Sequence, residues 1–119
     1  MPFTLSFVST PQYLEARCSG AATLDDIFTA IDTLAQETVA RVTARLLVDL
    51  RSVQEQFRFT DHFAIGERTV TRLAHLQRVA SLVPESRRTG TSEQVANQKG
   101  ILLRVFVSEA AAVAWLTQP

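Results

Sequence analysis

The first part of the chain alternates apolar and polar side chains in two short runs. Residues 3–8 and 13–19 both show the two-residue period typical of half-buried strands, and a turn-forming stretch at residues 9–12 separates them. Gly20 ends the second run. The pattern predicts an N-terminal β-hairpin.

A change to a helical period follows the hairpin. Thr23 is predicted to be an N-cap, and Asp25 and Asp26 follow in the first turn, where the positive end of the helix dipole favours carboxylates. Seven apolar residues then recur with the spacing of one helix face: Leu24, Ile27, Phe28, Ile31, Leu34, Ala35 and Val39. We expect a helix over about residues 24–39.

The middle of the chain predicts a buried strand and a second helix. The run LLVDL at residues 46–50 is apolar without alternation, which is typical of a parallel strand covered on both faces. Residues 51–59 are predicted to form a polar loop. Thr60 or Asp61 is predicted to cap a helix that extends to about Leu73.

Two more strand-and-helix units complete the chain. Strands are predicted over residues 76–83 and 101–107, with a short helix between them that opens on a capping box at Thr91. Ser108 is predicted to cap the last helix. The order of elements predicts a single α/β domain over residues 1–119, with a hairpin, a mostly parallel sheet and about four helices packed on it.

Composition narrows the classes of function that are open to this chain and leaves the predicted fold unchanged. Twelve basic and 12 acidic residues give a formal net charge of +0, which argues against a protein that binds nucleic acid by neutralising phosphates. Every basic residue except Lys99 is an arginine, which reflects either arginine-rich codon usage or selection for forks that bind carboxylate and phosphate. The one cysteine, Cys18, has no partner for an internal disulfide. With no signal-peptide pattern and no apolar run near the ~18 residues of a membrane span, we expect a cytoplasmic protein that does not span a membrane.

Charged side chains gather at the predicted carboxyl edge of the sheet. Asp49 and Arg51 follow the central strand, Arg58 lies in the next loop, and Arg87 and Arg88 follow the strand after that. Open α/β sheets bind ligands and partners at this edge. We therefore expect these five residues to form an interaction face.

Thr60 and Asp61, at the start of the second helix, have two candidate roles. Either residue can serve as a simple helix cap. Thr60 is also a candidate phosphoacceptor, because a phosphate there would add about −1.5 to −2 charges at a helix N-terminus, where free N–H groups and the dipole favour an anion.

Candidate catalytic and metal-binding groups do not form a recognisable pattern. Asp49 could act as a general base or a metal ligand, but a carboxylate at the end of a strand more often accepts hydrogen bonds from the loop that follows. His62 and His75 are thirteen positions apart, so they cannot share a metal as histidines at i and i+4 do. The glycines are scattered singly, which argues against a phosphate-binding loop. We expect no metal, no cofactor and no catalytic site.

Three phenylalanines, Phe57, Phe59 and Phe63, lie in and just after the predicted polar loop. Phe57 and Phe59 could fold inward as a lid over the core. The alternatives are that the three line an apolar pocket between helix and sheet, or that they form an exposed patch for a partner.

Several short motifs resemble the SpoIIAA-like branch of the STAS domain superfamily. These are the LLVDLR run at residues 46–51, the helix opening at Thr60 and Asp61, and a final segment from Gly100 through RVF at residues 104–106 to a helix that ends in Trp-Leu. The resemblance follows the element order over nearly the whole chain. It implies a small non-enzymatic α/β domain.

Family behaviour implies two further expectations. Anti-sigma-factor antagonists of this superfamily bind a partner kinase and are switched by phosphorylation of a hydroxyl at the start of the helix after the central strand. The matching turn here offers Thr60 as its only hydroxyl, and it lacks the family's serine pair and glycine. The SpoIIAA-like branch is also similar to Sec14-type lipid-binding domains, which implies an apolar ligand as the alternative role.

The sequence thus predicts a non-enzymatic regulatory or protein-binding module with an unidentified protein partner. The alternative is a carrier of a small apolar, lipid-like ligand. A homodimer through a helix face or the edge of the hairpin is left open.

Overall fold

The part of the chain that the structure describes forms five strands and three α-helices. The computed structural model describes residues 2–87, 97 and 100–119, with only the backbone described at residue 87. In chain order the elements are β1 (Thr4–Ser9), β2 (Leu14–Ala21), α1 (Leu24–Ala40), β3 (Arg45–Gln54), α2 (Phe59–Leu73), β4 (Arg78–Leu82), a turn of 3₁₀ helix (Glu85–Arg87), β5 (Leu103–Phe106) and α3 (Glu109–Leu116). The short helix predicted after Thr91 lies outside the described residues, so three of the four predicted helices are seen.

The strands form one sheet in the order β1-β2-β3-β4-β5. β1 pairs antiparallel with β2, and every other pair is parallel, which confirms the predicted hairpin and mostly parallel sheet. Each parallel strand lies beside the one before it, so right-handed connections place α1 and α2 on the same face. α3 packs on the opposite face, against β3, β4 and β5.

Two hydrophobic cores lie on the two faces of the sheet, and β3 contributes to both. Leu46 and Val48 belong to the core under α1 and α2, whereas Leu47 belongs to the core under α3. All three side chains are buried. The unbroken apolar run therefore marks a strand covered on both faces, as predicted.

β3 is longer than its apolar run. It extends to Gln54, because Ser52, Val53 and Gln54 continue the parallel ladder with the end of β2. Residues 51–54 are thus strand rather than the predicted loop. Between the pairs Arg17–Asp49 and Ser19–Ser52, β3 uses one residue more than β2, which is the geometry of a β-bulge.

Two of the predicted helix caps are confirmed. The Thr23 hydroxyl accepts a hydrogen bond from the Asp26 N–H at 3.1 Å, and the Asp26 carboxylate accepts one from the Thr23 N–H at 3.0 Å, which makes a capping box. The Ser108 hydroxyl accepts a hydrogen bond from the Ala111 N–H at the start of α3.

The third cap differs from the prediction. Arg58 is the N-cap of α2 and Phe59 its first residue, so neither Thr60 nor Asp61 is the cap. The carboxylate of Asp61 instead accepts a hydrogen bond from the Arg58 N–H at 2.9 Å. Asp61 therefore supports the start of the helix from its first turn.

Arginines hold the end of α3 against the sheet. Arg45 donates from Nη1 to the Leu116 carbonyl at 2.7 Å, and Arg78 donates to the Trp115 carbonyl. The Arg78 guanidinium also lies 5.3 Å from the centre of the Trp115 ring. Because the last carbonyls of a helix have no partner within the helix, these bonds stabilise α3 at its weak end.

The described helices include none that is both long enough and apolar enough to cross a membrane.

Replacing Arg78 with methionine tests the anchoring of α3. Arg78→Met keeps much of the side-chain length but removes the hydrogen bond and the cation–π contact, so we expect unfolding free energy to fall by about 1–2 kcal/mol. Urea denaturation measures this. Arg17→Met is the matched control, because the Arg17 side chain is exposed and forms its ion pair with Glu15 of the same strand; equal losses in the two variants would contradict the anchoring role.

Candidate functional site

Asp49 and Arg51 lie within β3, where they form a charged cluster with Glu109 of α3. Arg51 donates to Asp49 through Nε at 3.1 Å and Nη2 at 2.9 Å, and Nη2 also lies 2.8 Å from Oε1 of Glu109. The Arg51 backbone N–H donates to Asp49 Oδ1 at 3.0 Å. The Asp49 carboxylate therefore satisfies a backbone donor next to the bulge, in addition to its ion pair.

The environment of this cluster keeps Asp49 and Arg51 charged. Burial raises the pKa of Asp49, but the hydrogen bonds from the Arg51 side chain and backbone outweigh it, so the net pKa lies below the usual value. The hydrogen bond to Asp49 raises the pKa of Arg51. A carboxylate held in this way is a poor general base, because its proton affinity is lowered and its oxygens are occupied.

The start of α2 presents a different surface. Phe59 is 71% exposed and Phe63 is 46% exposed. The two residues are four positions apart, so their side chains lie on the same face of the helix. Arg58 and Thr60 are also exposed, and this group of residues forms an aromatic patch with polar neighbours.

The structure describes the side chains of three of the five residues of the predicted interaction face, and these three divide between the two faces of the sheet. Asp49 and Arg51 are on the α3 face of the sheet, in contact with Glu109. Arg58 begins α2, which packs with α1 on the other face. Arg88 and the side chain of Arg87 lie outside the described residues. Glu109 was not among the predicted site residues, and its only signal in the sequence is its place in the first turn of a helix.

The three predicted pocket phenylalanines also separate. A cavity of about 170 Å³ lies between the sheet, α1 and α2, and of the three only Phe57 is among its lining residues. The Phe57 ring meets the His62 ring edge to face, with centres 5.8 Å apart. Phe59 and Phe63 instead point to the outer surface described above.

Most of the cavity lining comes from apolar residues within the predicted helices and strands. These residues include Ile27, Ile31, Leu34, Leu50, Ile65 and Val105. Their helical or strand periodicity predicts an inward direction, but it contains no signal that the elements leave space between them.

Cys18 lies in the wall of this cavity and is 5% exposed. Burial, with a smaller contribution from the negative charge of Asp49, raises the pKa of its thiol to about 12. The thiol is therefore neutral near pH 7 and contributes no charge to the cavity.

The two histidines have separate surroundings. His75 Nε2 lies 2.8 Å from the hydroxyl of Thr38, which is fully buried and donates to the Leu34 carbonyl. His62 lines the cavity beside Phe57. In the described part of the chain, no three histidine, cysteine or carboxylate side chains come together as a metal site would require.

Comparisons with known proteins identify the fold. A protein described as an anti-sigma factor antagonist from Mycobacterium paratuberculosis superposes with a TM-score of 0.61 at 14% identity, over 98% of this chain and 96% of that one. An uncharacterised protein of the DUF3478 family from Shewanella loihica PV-4, described as having a SpoIIAA-like fold, superposes with a TM-score of 0.60 at 15% identity, over 96% and 93% of the two chains. This chain has the SpoIIAA-like fold.

That similarity confirms the fold resemblance drawn from the sequence motifs. No protein-family model matches the sequence, and no curated protein matches it either. At this level of identity, the likeness to the two solved structures concerns the fold alone.

Asp49→Asn tests how the charged cluster contributes to stability. Because the folded state lowers the pKa of Asp49, the stabilisation is present above the unfolded value near 3.8 and is lost as pH falls through the folded value. We expect the variant to be less stable than the wild type at pH 7 and the gap to close below pH about 4. Urea denaturation of the variant and the wild type at several pH values measures this difference in stability. Asp25→Asn, at an exposed position, is the control, and a gap that stays constant with pH would contradict the assignment.

Proposed function

We propose that this chain is a non-enzymatic protein-binding module that works in a regulatory system, and that it binds its partner through the start of α2. The observation that supports this most directly is the exposure of Phe59 and Phe63 on one helix face. A folded chain gains no stability from aromatic rings left in water, so an exposed pair beside charged residues is typical of an interface.

The energetics of the patch suit a binding hot spot. Burying one phenyl ring stabilises by about 1.5–3 kcal/mol, and interface energy concentrates in a few aromatic and arginine side chains. Phe59 and Phe63 supply the rings and Arg58 the adjacent guanidinium. The polar groups around them would form the rim that separates the contact from water.

The fold supports the same proposal. One solved structure with this fold is described as an anti-sigma factor antagonist, a protein defined by its action on another protein. Two groups of the described residues that could serve catalysis are already engaged: Arg51 occupies the oxygens of Asp49, and the Thr38 hydroxyl is buried against a backbone carbonyl. These engagements favour a binding role over an enzyme.

Three other expectations remain predictions. Two of them are the cytoplasmic location and the homodimer. Phosphorylation of Thr60 is the third, and its favourable features are exposure and a place in the first turn of α2.

The double variant Phe59→Ser/Phe63→Ser tests the patch. We expect it to fold with a stability loss of about 1–2 kcal/mol, because the Phe63 ring is only 46% exposed, and to lose partner binding by tenfold or more. Affinity capture with quantitative mass spectrometry compares it with the wild type. Val39→Ser is the control, since Val39 is 63% exposed near the end of α1. Identical recovered proteins for the wild type and the double variant would refute this docking surface.

Thr60→Glu tests the switch separately. A negative charge in the first turn of α2 is favourable to the helix dipole, so we expect an intact fold with stability unchanged or raised by about 0.3–1 kcal/mol. Partner capture should change relative to the wild type. Thr29→Glu, an exposed threonine of α1, should leave capture unaltered. If Thr60→Glu and Thr29→Glu recover partners equally, Thr60 is not a regulatory position.

A further inference from the structure

The cavity between the sheet, α1 and α2 offers a function in addition to protein binding. We propose that it is a binding site for a small, uncharged aromatic molecule of about one ring. The site is separate from the exposed aromatic patch, because Phe59 and Phe63 do not line it.

The volume sets the size of the ligand. The cavity measures about 170 Å³. Pockets for drug-sized ligands are typically about 300–1,000 Å³, whereas an apolar cavity of about 150 Å³ in another protein is known to bind benzene. The space therefore fits a single ring with a small substituent, and most of a long acyl chain would lie outside it. The proposed ligand is thus smaller than the lipid-like one expected from the sequence.

The wall chemistry sets the polarity of the ligand. Most of the lining is aliphatic, with side chains from α1, α2 and the four parallel strands. The polar groups in the wall are few, and the Thr69 hydroxyl already donates to the Ile65 carbonyl at 2.8 Å. An apolar cavity of this kind gains little from water and favours an apolar occupant.

The partly exposed lining residues place the mouth of the cavity at the carboxyl edge of the sheet. Glu55 and Phe57 follow β3, Val83 and Pro84 follow β4, and His62 lies in the second turn of α2. The Phe57 and His62 rings meet edge to face there, an arrangement that a third aromatic ring can extend.

Charge at the mouth selects against anions. The Glu55 carboxylate lines the cavity and accepts a hydrogen bond from the Phe57 N–H at 2.7 Å, which fixes its position. Among the described residues, no arginine or lysine lines the cavity. Within the described lining, a carboxylate ligand such as a fatty acid would therefore meet the like charge of Glu55 without a counter-ion.

Thermal unfolding with toluene as the probe tests the site. Toluene should raise the Tm of the wild type by about 2 °C at half saturation. Ala30→Leu fills the cavity from α1, so it should fold and show no shift with toluene. Ala40→Leu is the matched control at an exposed position of the same helix, and it should shift as the wild type does. Decanoate should give no rise in Tm.

Methyl NMR spectra of the wild type with toluene locate the site even if Ala30→Leu does not fold. The proposal expects shift changes at Ile31, Val79 and Leu103, which line the cavity. No change at these methyls, or changes confined to the surface around Phe59, would overturn the site. A larger Tm rise with decanoate than with toluene would overturn the uncharged class. Phe59→Ser/Phe63→Ser should keep the toluene response, so failure of the docking surface and failure of the cavity site are separable.

Discussion

The burial of β3 on both faces is the constraint on which the rest of the structure depends. A strand with Leu46 and Val48 on one face and Leu47 on the other needs cover from both directions. α1 and α2 cover one face as the connections to and from β3, and their right-handed path leaves the other face open. α3, late in the chain, covers that second face. Arg45 of β3 holds the end of α3 there through the Leu116 carbonyl.

The arginines of the described chain act chiefly within the fold. Arg68 and Arg72 both reach Asp32 and so join α2 to α1, while Arg51 joins β3 to α3. Others donate to the backbone at the end of α3. A fork with several fixed donors can serve two acceptors at once, which a lysine ammonium does with less directional precision. The arginine preference in the sequence is therefore consistent with these structural contacts as well as with codon usage.

Element order, sheet direction and two helix caps were predictable because each rests on local chemistry or on a period in the sequence. The end of β3 was not, since the bulge after Asp49 lets Ser52, Val53 and Gln54 stay in the ladder although two of the three are polar. The directions of the Phe57, Phe59 and Phe63 side chains were also not predictable from the sequence. Because α2 begins at Phe59, Phe57 stays in the preceding segment and lines the cavity, whereas Phe59 and Phe63 share one helix face and remain exposed. The cavity depends on gaps between packed elements, which no residue pattern records.

The position of α3 late in the chain determines the order in which the two cores can form during synthesis. During synthesis, β3 and β4 leave the ribosome well before residues 109–116, so Leu47 and Leu82 on their second face have no cover from α3. The earlier core can form first, and the sheet then exposes an apolar strip until α3 arrives. For that interval the nascent chain resembles a substrate for chaperones.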